Sequence, residues 1–412
     1  MSIKHAFSLI VVIFIGVFVF SQESKTKVIF VLVDGISSDA IEKVETPNLD
    51  ALAKEGGYTR AYVGGQKDGY SESPTISSVG YNSLLTGTWA NKHNVWGNSI
   101  KAPNYNYWTI FRFAKEHRPE LKTAIFSTWL DNRTKLVGEE LPANGNIKLD
   151  YHFDGFELDT IAFPHDDDTL YIHKIDEHVT NETARYVKME GPDLSWVYLE
   201  YTDDMGHKYG DSQQFYDAIK IMDSQIGRIW EATQYRTKNF NEDWQLWITT
   251  DHGRVAKDGK GHGGQSDRER DTWIVTNAKE LNDYFRQQRP GIVAIMPSIL
   301  RTLNIKPEKE QLWEIDGVPL TGKISVSSVE AVFKDDVLNL TWDAYDQRGK
   351  LKVWMSPTNS FKKGGVDEYI RIAEVKIKDE KASINMSHLP SNFYKIVLEG
   401  EHNSITRWLK KK

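Results

Sequence analysis

Val28-Ile-Phe-Val-Leu-Val-Asp34-Gly35 is an uninterrupted apolar run closed by a carboxylate and a glycine. It lacks the apolar/polar alternation of a strand with one wet face, so it predicts a parallel strand buried on both faces. In open α/β sheets ligands gather beyond the carboxyl ends of the strands, which puts Asp34 where a site would form. Taken alone, Asp34 reads equally well as a helix cap. The same pattern recurs outward from this strand. Leu194-SWVYLEYT runs into Asp203-Asp-Met-Gly-His207, and Trp244-QLWITT runs into Asp251-His252-Gly253. Thr123-AIFST and Trp273-IVTN read as two further strands. Helical patterns lie between them. Thr46 precedes Pro47 with Leu49, Leu52 and Ala53 at helical spacing; Phe215, Ile219, Met222, Ile226 and Trp230 form a core-facing stripe; and Ile295-MPSILRTLNI reads as a Pro-started helix. The alternation predicts an α/β fold with a mostly parallel sheet flanked by helices.

The strand-end donors acquire a purpose from Ser73–Asn98, SPTISSVGYNSLLTGTWANKHNVWGN. A loop of small hydroxyl residues enters an amphipathic segment with Val79, Leu84 and Leu85 on its apolar side. That places a Ser or Thr hydroxyl at a helix start, where exposed amides and the helix dipole favour an anion. A hydroxyl is a weak nucleophile at neutral pH, and no base stands beside it in the sequence, so its activation falls to metal coordination. Asp34, Asp203, His207, Asp251, His252 and His262 supply, with the hydroxyl, seven oxygen and nitrogen donors. That is enough for two metals sharing a bridging group. Asp203 and His207 are four apart and converge on one helical turn, with Asp204 as a competing carboxylate. Asp251 and His252 are adjacent and converge only if the backbone turns, which Gly253 permits. His262 sits in the turn Lys260-GHGG; a His among glycines reads either as a solvated turn or as a ligand, and the strand before it favours the ligand.

Composition narrows the class. The 412 residues carry a formal net charge of -7, so there is no basic footprint and no nucleic-acid-binding architecture. Aromatics make up 12%, enough for well-supplied cores. With no cysteine, disulfides, lipidated thiols and thiolate ligands are excluded, and a metal must be held by O and N donors. Residues 1–21 place Lys4 and His5 before the apolar run Ala6–Phe20, with Val19 and Ser21 at the -3 and -1 positions of a cleavage site. They predict a signal peptide and a periplasmic or secreted protein; the alternative is an uncleaved anchor. No other membrane span is expected, and oligomeric state is not legible. Residues 22–320 read as the catalytic domain, with about 131–178 as a polar, irregular cap or insertion. There His165-Asp166-Asp167-Asp168 reads as a solvated loop, a calcium site being the alternative. Over residues 321–412 the texture changes to short alternating runs: Leu338, Leu340 and Trp342; Leu351, Val353 and Met355; Val375 and Ile377; Tyr394, Ile396 and Leu398. These predict a small C-terminal antiparallel β-sandwich. In pattern and size it resembles a fibronectin type III or immunoglobulin-like module.

In order and spacing, VIFVLVDG, ETPNLDALAKEGG, SLLTGTWANKHNVWGN, YLEYTDDMGHKYG, ITTDHG and GHGG closely resemble the alkaline phosphatase superfamily over about residues 26–320. Within it they resemble the type I phosphodiesterase and nucleotide pyrophosphatase branch. The resemblance implies an alkaline-phosphatase-like sheet and two Zn2+, other divalent metals being open. Asp203, His207 and His262 would hold one metal; Asp34, Asp251, His252 and the nucleophile would hold the other. Counting back from Leu84-Leu-Thr-Gly87 puts the nucleophile on Ser77. The branch usually has Thr there, followed by Pro two residues on, so Thr75 is the alternative. Asn98 matches an Asn that helps hold a non-bridging phosphoryl oxygen. The implied chemistry is a two-step in-line displacement through a phospho-Ser enzyme, acting on small phosphodiesters or nucleotide pyrophosphates. A phosphomonoesterase is the rival and would need an added cation, for which Lys67, Lys92, Lys208 and Arg254 are candidates. A sulfatase needs Cys or Ser followed by x-Pro-x-Arg, and Ser77-SVGY lacks both Pro and Arg. A catalytically silent zinc- or glycan-binding protein is the reading from another class. The aromatics Tyr70, Tyr81, Trp89 and Trp96 read as a nucleobase platform or as core.

Overall fold

The computed structural model describes residues 24–410; the expected signal peptide lies outside the described residues. Strands β1 (Lys25–Val33), β2 (Gly57–Tyr62), β3 (Thr123–Ser127), β4 (Tyr151–Phe153), β5 (Leu194–Leu199), β6 (Glu242–Thr249) and β7 (Asp271–Thr276) form one seven-stranded sheet in the order β2-β7-β6-β1-β5-β3-β4. The run β6-β1-β5-β3-β4 is parallel throughout, and β7 pairs antiparallel with both β6 and β2. Every residue of β1 from Lys27 to Val33 is buried, as a strand covered on both faces requires. Its side chains alternate between two cores. Val28, Phe30 and Leu32 face the layer containing helices Ser77–Thr86, Ile110–His117 and Ile295–Thr302. Ile29, Val31 and Val33 face the layer of Pro47–Glu55, Leu170–Glu190 and Gln213–Phe240.

Several local expectations are revised. Ser77–Thr86 is buried on all sides, not amphipathic, because it lies between the sheet and the layer built from residues 292–302. Trp230 is only partly buried at the end of its stripe. The helix at Ile295 begins two residues before Pro297, which still falls in the first turn, where its missing N–H costs nothing. The stretch 131–178 is more ordered than its polarity suggests: it contributes edge strand β4, and the helix Leu170–Glu190 begins inside it. The acidic run serves that helix. The Asp166 carboxylate accepts from the amides of Asp168, Leu170 and Tyr171.

After the sheet, β8 (Val326–Lys334), β9 (Val337–Ala344), β10 (Lys350–Ser356), β11 (Ile370–Lys376), β12 (Lys381–Asn385), β13 (Phe393–Glu399) and β14 (Ser404–Lys410) form two antiparallel sheets. Their orders are β11-β10-β13-β14 and β12-β9-β8. The predicted inward faces of β9, β10 and β13 are buried; Val375 is only partly so, and Ile377 lies in a short 3-10 turn beyond β11. The apolar core of one sheet face continues without a break into this C-terminal region. A buried ion cluster crosses the same boundary. The Lys395 ammonium, with its side chain 0% exposed, is held by Glu314 and, at 2.7 Å, by Asp367. Truncating the lysine strands two buried carboxylates. Lys395→Ala is expected to cost about 3–5 kcal/mol, read as a lowered urea midpoint with a two-state m-value retained.

Candidate active site

Three neighbouring parallel strands place the donors. In β1, Val33 pairs with Leu199 of β5 and Leu32 with Thr249 of β6, so their carboxyl ends are level. Asp34 follows β1; Asp203 and His207 lie on helix Tyr201–Tyr209 just beyond β5; Asp251 and His252 follow β6. Gly35, at φ +69°, turns the chain, and its N–H donates to Asp251 Oδ1 at 3.1 Å. His262 comes from the long β6–β7 connection and is oriented by a 2.9 Å hydrogen bond from its Nδ1 to the Thr75 carbonyl. His252 Nδ1 makes the matching bond to the Gly253 carbonyl at 3.0 Å. A carbonyl only accepts, so both rings carry the proton on Nδ1 and turn a lone pair on Nε2 toward the site.

Around those nitrogens the geometry is tight. His252 Nε2 lies 3.2 Å from Asp251 Oδ2, 3.4 Å from Asp34 Oδ1 and 3.4 Å from Ser77 Oγ. His207 Nε2 is 3.1 Å from both Asp203 Oδ2 and His262 Nε2. Two groups of ligand atoms each fall within 4.8 Å: Asp203, His207 and His262, and Asp34, Asp203 and His252. The first is the trio expected for one metal. In the second, Asp203 stands where Asp251 was expected, so Asp203 borders both groups, while Asp251 Oδ2 stays 3.2 Å from His252 Nε2.

The electrostatics fit a cation. Asp34 Oδ1 and Asp251 Oδ2 are buried without a hydrogen-bond partner. Burial and the neighbouring Asp203 charge raise Asp34 to about 7, against the pull of the Tyr81 and Tyr198 hydroxyls. Burial and the Asp34 and Asp203 charges push Asp251 up further. Burial opposes the Asp203 charge too, but Arg254, His207 and His252 hold its pKa far below the carboxylate range. Burial keeps His252 and His262 neutral, while the Asp203 hydrogen bond raises His207. Carboxylates that resist ionising side by side and neutral imidazoles presenting Nε2 suit divalent metals.

Ser77 is the first residue of its helix and is 6% exposed. The Ser78 N–H donates to Asn98 Oδ1 at 3.0 Å, which brings Asn98 beside the helix start and leaves its Nδ2 without a protein partner. The Thr75 hydroxyl is committed elsewhere: it donates to the Gly264 carbonyl and accepts from the Gly263 amide, both at 2.9 Å, closing the turn that carries His262. Asp204 does not join either group.

Three of the four candidate cations are committed elsewhere. Lys92 is buried against Asp316 at 2.8 Å and the Glu314 carbonyl at 2.7 Å. Lys208 ties down Asp168 at 2.6 Å, and Lys67 lines a separate cleft. Arg254 is fully buried and bonds Asp203, the Gly35 carbonyl at 2.8 Å and the Gly259 carbonyl. It passes through a slot that only glycines leave open: a Cβ on Gly206 would lie 2.0 Å from its Cζ, and one on Gly35 would lie 2.3 Å from Asp203 Oδ1.

Sequence reasoning missed the supports of Asp34. The Tyr81 and Tyr198 hydroxyls both donate to its Oδ2, the latter at 2.7 Å. Tyr81 is therefore neither a nucleobase platform nor plain core, and its one sequence signal is its place a helical turn beyond Ser77. Trp89 is buried and Tyr70 packs on Trp408; Trp96, next to the Gly97-Asn98 pair, is 47% exposed.

Residues 28–309 match the type I phosphodiesterase / nucleotide pyrophosphatase family. The chain belongs to that family, within the alkaline phosphatase superfamily. Ectonucleotide pyrophosphatase/phosphodiesterase family member 7 of Rattus norvegicus is 24% identical over 247 residues, covering 57% of this chain and 51% of the relative. The Homo sapiens protein of that name is 26% identical over 257 residues, covering 58% and 50%. The chain thus spans about half the length of the curated relatives it matches. Among solved structures, the phosphonate monoester hydrolase of Agrobacterium radiobacter aligns with a TM-score of 0.54 at 14% identity, covering 93% of this chain and 89% of that one. A putative sulfatase from Bacteroides thetaiotaomicron VPI-5482 aligns at 0.50 and 11% identity, covering 89% and 86%. These likenesses support the fold.

Because Asp34 rises to about 7, a metal entering below that pH must displace its proton. Asp251 and His207 are raised as well, so affinity climbs as the pH rises through about 7 and beyond and is lost as the pH falls. For the apo protein, the apparent zinc affinity is expected to drop about tenfold per pH unit for each proton displaced. Calorimetric titrations in buffers of different ionisation enthalpy count those protons.

Proposed function

We propose that this protein is a two-metal phosphoric-diester hydrolase that works through a phospho-Ser77 intermediate. The observation that carries the reading is the Ser77 hydroxyl, on a buried helix N-terminus, 3.4 Å from the Nε2 of His252 among unpartnered carboxylate oxygens. Asp203, His207 and His262 would hold one zinc; Asp34, Asp251, His252 and Ser77 would hold the other, with Asp203 at their border. When bound, the metals supply Lewis acidity and lower the pKa of the hydroxyls they touch. The chain's own residues do the rest. Ser77 Oγ bonds to phosphorus in line as the ester oxygen departs, and water then cleaves the phosphoseryl bond. Asn98 Nδ2 and the amides of the helix start meet the equatorial oxygens, where charge collects. Thr75 serves as the brace of the His262 turn, since both sides of its hydroxyl are spent there.

The diester is favoured over the monoester by where the cations lie. A monoester brings an additional negative charge, and Lys92, Lys208 and Arg254 are each held by carboxylates or carbonyls. The leader residues 1–21 support export to the periplasm or medium. Residues 22–320 would form the catalytic unit, with about 131–178 as a cap, and residues 321–412 the sandwich.

Zinc-loaded protein is expected to hydrolyse bis-p-nitrophenyl phosphate faster than p-nitrophenyl phosphate and to lose both activities with chelator. A reversed preference would overturn the diesterase reading. Ser77→Ala should lower kcat by more than about a thousandfold with zinc content unchanged. Asn98→Ala should lower kcat roughly a hundredfold through loss of one oxyanion donor.

A further inference from the structure

Between the catalytic half and the C-terminal sheets lies a cleft of about 480 Å3, lined from both sides. That volume suits a small metabolite. None of the seven candidate metal and nucleophile residues lines it. The loop of residues 64–73, closed by a 2.9 Å bond from the Ser73 amide to the Gly64 carbonyl, forms part of its wall and leads into the segment that carries Ser77.

The walls are cationic in a protein of net charge -7. Arg270 is half-buried and bonded only to neutral acceptors: the Gly64 carbonyl at 3.2 Å, the Gly65 carbonyl at 2.7 Å and Gln265 Oε1 at 2.6 Å. Arg407, on β14, is likewise half-buried and bonded to the carbonyls of Val329 at 2.7 Å and Thr406 at 2.9 Å; its Nη2 has no protein partner. Neither guanidinium pairs with a carboxylate among the described residues. Arg289 adds a third, 45% exposed and partly neutralised by Asp271, with its Nη1 free. Lys67 at the rim is exposed and forms no ion pair. Arg270 Cζ lies 5.7 Å from the centre of the Tyr62 ring, and Tyr62, Arg289 and Arg407 line the same cleft. An anion entering the cleft would meet positive charge that no carboxylate of the described residues offsets, and the forked donors of arginine match a tetrahedral oxyanion better than a point charge would.

We propose that this cleft is a second ligand site, which binds a small molecule carrying a phosphate or sulfate monoester group between Arg407 of the C-terminal sheets and Arg270 of the catalytic half. A dianion is favoured over a single carboxylate because two uncompensated guanidinium groups, with Arg289 and Lys67 beside them, face one space. The lone carboxylate of the lining not already in an ion pair is Glu330, and it is exposed. Such a ligand would bridge the two halves of the molecule.

Calorimetric titration of glucose 6-phosphate, glucose 6-sulfate, inorganic phosphate and glucose tests this on the zinc-loaded protein and again after chelation, which removes binding at the metals. The expected result is one equivalent of phosphate or sulfate ester bound after chelation, with glucose not bound. Arg407→Ala is expected to weaken it at least tenfold. Lys67→Glu, at an exposed position with no ion pair to lose, should weaken it several-fold without moving the thermal midpoint, and it decides the matter if Arg407→Ala does not fold. Equal binding of inorganic phosphate would identify the free ion as the ligand of the same site. No binding after chelation, equal binding of glucose, or unchanged affinity in a folded variant would overturn the proposal.

Discussion

Buried negative charge at the ends of three adjacent parallel strands is the constraint on which the rest of the structure depends. Asp34, Asp203 and Asp251 are each at most 8% exposed and lie within reach of the same imidazole. In a low-dielectric interior such carboxylates repel one another and lose their hydration, so the fold has to supply compensation or leave it to bound cations. It supplies only part. Asp203 receives a full positive charge from Arg254, and Asp34 receives two phenolic hydroxyls on one oxygen. The second oxygen of Asp34 and one of Asp251 receive nothing. That uneven distribution separates this candidate metal site from an ordinary buried ion pair.

The compensation reaches into parts of the chain with no chemistry of their own. Arg254 can lie under Asp203 only because residues 35 and 206 lack a Cβ. Thr75 gives up its hydroxyl to the Gly263-Gly264 turn and its carbonyl to His262, so the loop that presents Ser77 and the turn that presents His262 are tied together by three hydrogen bonds. Lys208 performs a similar service at longer range, pinning the acidic loop before helix Leu170–Glu190 to the helix that bears Asp203 and His207. Lys208 and Arg254, which looked like phosphate-binding cations in the sequence, are thus members of the scaffold around the candidate metal site.

The C-terminal sheets belong to the same packing problem. Their core is continuous with one face of the main sheet, and the Lys395 cluster joins them by charge. A cleft lined by guanidinium groups from both sides then gives the junction a chemical character of its own, distinct from the acidic metal site.

Much of this was legible from the chain because a strand buried on both faces must be apolar along its length. That made VIFVLV, LSWVYL and the run before Asp251 recognisable, and the donors after each run followed from their position at strand ends. The helix start at Ser77 was legible for a similar reason, from small hydroxyl residues before an apolar segment. Local pattern reports what a residue is flanked by, not what is packed against it. The sequence by itself therefore determined the alternation of strands and helices, the places of the Asp and His side chains at the strand ends and the change of texture at about residue 321. Only the tertiary structure decided that β6, β1 and β5 are neighbours, that Asp203 borders both groups of candidate ligands, that Tyr81, Tyr198 and Arg254 serve the carboxylates, and that Arg270 and Arg407 line one cleft. Each of these depends on contacts between residues far apart in sequence, which are set by how layers and strands pack, and no window along the chain contains both partners.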